Sequence, residues 1–153
     1  MRYSQIWHDN RWIVAVLLII TCLLLTGCGQ TPASQKEGPG PAKVEPVAGT
    51  DLSRVILTAQ AAKRVGIETA PVRDTQVRGK LQKVVSYSAV IYDLHGETWV
   101  YTNPESLTYV RDAISVNFID GNLAVLSKGP PSGTAIVAVG APELYGTEFG
   151  VGE

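Results

Sequence analysis

Side chains that commonly perform chemistry are scarce in this sequence. Its 153 residues include two cysteines, two histidines and one methionine. Two cysteines do not make a disulfide scaffold. A hydrophobic content of 45% excludes wholesale disorder. The net charge of −1 argues against a broad basic surface for nucleic acid. No heptad run for a coiled-coil hairpin is present, and Gly146 to Gly152 (GTEFGVG) lacks the Lys-Ser/Thr pair of a phosphate loop. Long apolar runs are absent apart from Ile13 to Thr26 (IVAVLLIITCLLLT). As a helix that block would be about 21 Å long, short of the roughly 30 Å hydrocarbon core of a membrane.

What is there begins with an address. Met1 to Arg11 carries Arg2 and Arg11 against Asp9. A positive start, a short apolar helix and small residues after it form a secretory signal peptide, residues 1–27. Leu25-Thr26-Gly27-Cys28 resembles the bacterial lipobox. That resemblance implies cleavage before Cys28, diacylation of its sulfur and anchoring in membrane lipid, where two or three acyl chains hold stably. The alternative is an uncleaved anchor helix with Cys28 as an ordinary thiol. Either way the rest of the chain is expected in the cell envelope, on the extracytoplasmic side of a bacterial membrane. That side is periplasmic in a two-membrane cell. Gly29 stands where an aspartate would resemble an inner-membrane retention signal, which leans toward the outer membrane. Cys22 falls in the removed segment, so no disulfide is expected.

Residues 28–50 hold eight Gly and Pro after the cysteine, no aromatic and balanced charge. They read as a disordered tether. Residues 51–83 form a basic arm: from Arg54 to Lys83 there are seven Lys and Arg against two acids. Within it Arg54 to Leu57 reads as a strand, and Thr58 as the N-cap of a short helix Ala59 to Val65 stopped by Gly66. Ile67 to Arg73 reads as extended, with Pro71 limiting it to a sheet edge. Asp74 to Lys83 is polar and poorly patterned.

All eight aromatics after Cys28 lie between Tyr87 and Phe149, which centres the packed body on residues 84–141. Five strands are expected there: Val84–Tyr92, Thr98–Thr102, Leu107–Ile119, Leu123–Ser127 and Thr134–Val139. Asp120-Gly121 is a hairpin signal. The expected fold is mainly β, a small antiparallel barrel or sandwich with one short helix. Residues 142–153 read as a Gly-rich tail. A core of about 70 residues without disulfides is marginal alone, which points to contributions from the arm or from a partner.

Two stretches together resemble the periplasmic adaptor subunits, or membrane fusion proteins, of efflux transporters. The first is Leu57 to Val72 (LTAQAAKRVGIETAPV), similar to the segment that opens a mature adaptor. The second is Val85 to Val90 (VSYSAV) with Gly96 to Tyr101 (GETWVY), similar to the start of the adaptor's C-terminal membrane-proximal domain. Val116–Gly121 and Leu126–Gly140 continue that pattern, although Ser86 replaces the usual proline. The resemblance implies a lipoprotein that contacts an efflux transporter or a full-length adaptor. Between Val72 and Val84, where a full adaptor carries its lipoyl halves and helical hairpin, this chain has eleven residues. Bridging of two membranes is therefore not implied.

No catalytic constellation, cofactor or metal is expected. His95 is the sole imidazole after Cys28, and with Asp93 and Glu97 it reads as a polar turn rather than a metal trio. Glu143 and Glu148 read as solvated acids in the tail rather than as a glycosidase pair. Trp99 and Tyr101 are either a stacking platform for a ligand or partner, or core and cross-strand packing. Arg64, Arg78, Lys80 and Lys83 either lean on anionic lipid or a partner, or are a solvated face balancing the acidic body. A stand-alone envelope module that binds a ligand on its aromatic strand face is the alternative to the transport accessory.

Overall fold

The computed structural model of the chain describes residues 40–150; the signal peptide, Cys28 and the first part of the tether lie outside them. The described residues form ten strands and two short helices. The strands are β1 (Ala42–Pro46), β2 (Ser53–Leu57), β3 (Glu68–Pro71), β4 (Arg73–Val77), β5 (Lys80–Ser86), β6 (Ile91–Tyr92), β7 (Thr98–Glu105), β8 (Thr108–Asp120), β9 (Leu123–Lys128) and β10 (Ala135–Val139). Helix α1 is Ala59–Val65 and α2 is Ala141–Phe149, and a 3-10 turn covers Tyr87–Ala89.

The protein is mainly β, and its strands pair antiparallel in a curled sheet, half of a barrel, in the order β3-β10-β7-β8-β9-β5-β4. The curl has a local cause in β8. Its early residues pair with β7 and β2, whereas Ser115 to Asp120 pair with β9. Register shifts between Ser115 and Phe118 mark bulges, which bend a strand and increase its twist. The two ends of the pairing path, β3 and β4, are consecutive in the chain and separated by Val72 alone. Val72 N–H donates to Thr134 O at 2.9 Å, and Val72 O accepts from Gly133 N–H at 2.8 Å.

Alternation decides which side chains go where. On one face Val72, Val85, Val100, Ile114, Leu126 and Ile136 form a buried cluster, to which each of six chain segments contributes. A second buried cluster gathers Val55, Leu57, Ala61, Tyr101, Tyr109, Val137 and Leu144, where β2, α1 and α2 cover the sheet. Val77, Val84 and Val125 make a third with Phe118 and Leu123.

Several expectations are met locally. Strand β2 and helix α1 lie where the sequence places them. Thr58 Oγ1 accepts the Ala61 N–H at 3.2 Å, and Gly66 closes α1 in the left-handed region at φ 75°. Strand β3 is an edge that pairs with β10. The hairpin expected at Asp120-Gly121 forms with Gly121 and Asn122 as its loop, since Asp120 pairs with Leu123.

Other expectations are corrected. The basic arm is part of the sheet, not an appendage to it: β2 pairs with β8, and β4 and β5 join β9. Its charge misleads because the charged side chains are interspersed with Val55, Leu57, Val72 and Val77, which carry the burial. The body is centred where the aromatics place it, since most of the buried apolar residues among those described lie at or after Val84, although valine and not the aromatic residues dominates that core. Asp74 to Lys83 is a hairpin turning at Arg78-Gly79, both at positive φ (52° and 75°). The tether ends earlier than Thr50, because β1 pairs with β2 from Ala42↔Leu57 to Pro46↔Ser53. Val84–Tyr92 is not one strand but the end of β5, the 3-10 turn and β6. The Gly-rich tail holds α2, a second helix, with Leu144 buried.

Candidate functional site

Strands β7 and β8 build a cationic centre on the face that α2 covers. Tyr101 stands directly opposite Arg111 across the two strands, and Trp99 lies two residues along on the same face. Opposite positions on an antiparallel pair share a face and sit close together. The Arg111 guanidinium lies 4.6 Å from the centre of the Trp99 ring and 4.9 Å from that of Phe149, with Tyr145 at 6.0 Å. Stacking over aromatic faces is favourable for a planar, weakly hydrated cation.

The counterion comes from α2. Arg111 Nε–H donates to both Glu148 carboxylate oxygens, at 3.0 Å and 2.9 Å. Tyr101 Oη donates to Glu148 Oε2 at 2.6 Å. The Arg111 and Glu148 side chains are 9% and 3% exposed, so the pair is buried, and desolvation offsets much of its Coulomb attraction. Burial pushes the Tyr101 hydroxyl well above its ordinary pKa, and the hydrogen bond to the Glu148 carboxylate adds to the rise.

This centre revises two readings of the sequence. Glu148 is not a solvated tail acid. It is buried because helix formation places it four residues after Leu144, on the side of α2 that meets the sheet. Gly146 hides that stripe in the sequence. Glu143 remains exposed, so the two acids do not form a pair. Tyr101 has no exposed surface and offers no platform to a ligand. Trp99 is half-buried, with its ring against Arg111 and its Nε1–H donating to Asp93 Oδ2 at 3.0 Å. Tyr101 is a packing residue here, whereas Trp99 packs against Arg111 and keeps part of its surface open.

Asp93 organises the β6–β7 turn. Its Oδ1 accepts the N–H groups of His95 and Glu97, each at 2.9 Å. Burial raises the Asp93 pKa, but the Trp99 indole and the two backbone N–H groups outweigh that and hold the carboxyl below the ordinary range. Among the described residues no group of three His, Cys, Asp or Glu side chains is placed to hold a metal ion.

The four candidate patch cations occupy two places. Arg64 lies on α1 beside an open groove of about 850 Å³ between β1, α1 and α2, whose apolar wall includes Ala42, Val44, Leu57, Ala61 and Val65. The other three are on the β4–β5 hairpin. Arg78 pairs with Asp120 at 3.3 Å and stacks 4.4 Å over Phe118. Lys83 Nζ donates to the carbonyls of Gly129 and Pro130 at 3.3 and 2.8 Å. Lys80 is exposed at the turn. A second groove, about 640 Å³, is edged by Tyr92, Glu97, Trp99 and Val116.

No family model, no curated protein and no solved structure matches the chain.

Proposed function

We propose that the protein is a membrane-anchored lipoprotein related to efflux adaptor subunits, held by acyl chains on Cys28 and docking on a transporter on the extracytoplasmic side. In this reading its curled sheet is a reduced form of the adaptor's membrane-proximal barrel. The observation that carries it is the β4–β5 turn. The two adaptor-like stretches, Leu57–Val72 and Val85–Gly140, pack into the same sheet, and the chain between them closes in a two-residue turn at Arg78-Gly79. That is the place where a full adaptor carries its lipoyl halves and long hairpin. Among the described residues no long helical hairpin stands at that place, and in this reading the protein works at the face of one membrane.

The experiment has two arms on the full-length protein in its native membrane. Cys28→Ser is expected to move the protein from the membrane to the soluble fraction, and mass spectrometry of the wild type is expected to find acyl chains on the first residue of the mature form. Photo-crosslinkers placed one at a time at Leu81, Leu94 and Phe149, all exposed, are expected to capture an integral membrane transporter from at least one position. Membrane retention of the Cys28→Ser protein, or capture of phospholipid alone from every position, would overturn the proposal.

A further inference from the structure

We propose that the Arg111 centre is a carboxylate-binding site, occupied in this state by the chain's own Glu148, and that α2 is a plug which an acidic segment of a partner displaces. This stands apart from the anchor and the transporter reading, and needs neither.

The receptor half is complete without α2. Arg111, Tyr101 and Trp99 project from adjacent positions of two paired strands, so cation, hydroxyl donor and ring are held by rigid elements. Asp93 fixes the Trp99 indole by a bond within the β6–β7 turn, which does not involve the helix. Among the described residues the Arg111 guanidinium has one anionic partner, Glu148.

The ligand half sits on an element that buries few apolar residues and is held chiefly by the ion pair itself. Helix α2 has nine residues, and Ala141 and Leu144 are the ones it buries fully. Gly140 precedes it at φ 88° and Gly150 follows it at φ 64°. Phe149, at its end, is 51% exposed although its ring lies over Arg111. Elements with few buried apolar contacts open at the lowest free energy.

The energetics favour exchange over simple opening. Departure of Glu148 while the site stays covered would leave Arg111 buried without a counterion, which is costly, whereas the net value of the intact pair is small. An incoming carboxylate that follows Glu148 out keeps the guanidinium paired and accepts the Tyr101 proton donor in turn. The swap conserves the number of charge-assisted hydrogen bonds. A partner with an acid flanked by an aromatic residue reproduces what Glu148 and Phe149 present.

The test uses the full chain with Trp7 and Trp12 replaced by phenylalanine, so that emission reports Trp99 alone. Glu148→Ala is expected to melt below the wild type, and acetate, titrated against chloride at constant ionic strength, is expected to recover most of the drop in a saturable way. Arg111→Met in the same background is expected to abolish that recovery. Should Glu148→Ala fail to fold, the wild type answers the same question. A synthetic peptide copying Ala141–Phe149 is expected to change Trp99 emission at saturating concentration, and its Glu→Gln version at the position of Glu148 is not. Acetate no better than chloride, recovery that survives Arg111→Met, or equal effects of the two peptides would each sink the proposal.

Discussion

Arg111 is one of two basic residues between Val84 and Glu153, and it is buried. Removing it strands Glu148 and Tyr101 beneath α2. Arg111→Ala is therefore expected to destabilise the protein by about 3–5 kcal/mol, read from urea unfolding. Tyr101 brings a pH dependence at the alkaline end. Its folded pKa is raised, by burial first and then by the Glu148 carboxylate, above an unfolded value near 10. The stability it contributes is full below about pH 10 and is lost as pH rises beyond it. Tyr109, raised by burial alone, acts in the same direction. Alkaline unfolding followed by circular dichroism is expected to show a shallower loss of stability in Tyr101→Phe than in the wild type. Of this centre the sequence made Trp99 and Tyr101 legible as one face of a strand. Glu148 was not legible, because an acid reads as solvent-facing until a cation from another element is known to stand opposite.

At the scale of elements, local chemistry predicted best where one residue does one job. Thr58 and Gly66 bound α1 because an oxygen at the N-cap and a left-handed glycine at the end satisfy groups that any helix leaves unpaired. Helix α2 has no such N-terminal cap; it starts after a glycine whose side is pressed against Ile67. Gly140 combines positive φ with that close approach, so Gly140→Ala is expected to cost at least about 1–3 kcal/mol. Thermal unfolding followed through Trp99 emission measures it, and an unchanged melting temperature would show that α2 does not depend on this junction. The Arg78-Gly79 turn escaped the sequence for a similar reason. Primed two-residue turns usually announce themselves with Asn or Asp at the first place. Here the arginine is held at φ 52° while it pairs with Asp120 and stacks on Phe118.

For the molecule as a whole, the consequence of the pairing order is that chain-distant segments share one interior. Val72, Val100, Ile114 and Ile136 come from four separate strands or junctions and meet in one cluster. Ile136→Ala is expected to cost about 2–5 kcal/mol. It should do so without separating the arm from the body: hydrogen exchange in β2, β5 and β8 is expected to accelerate together. Exchange that quickened in β4 and β5 alone would show the arm to be an independent unit after all. Net charge, which split the sequence at Lys83, has no counterpart in this architecture, because apart from the buried Arg111–Glu148 pair the charge lies mostly on outward residues and the burial on the residues between them.

The sequence by itself determined the all-strand character of the body, the ends of α1, the edge position of β3 and the β8–β9 hairpin. These depend on alternation, capping and turn chemistry, which act over a few residues. Only the tertiary structure decided that the tether's end is β1, that the basic arm is sheet, and that the last helix is held by a buried ion pair. Each of these needs a partner far along the chain, and the value of burying a valine or a carboxylate is set by what faces it.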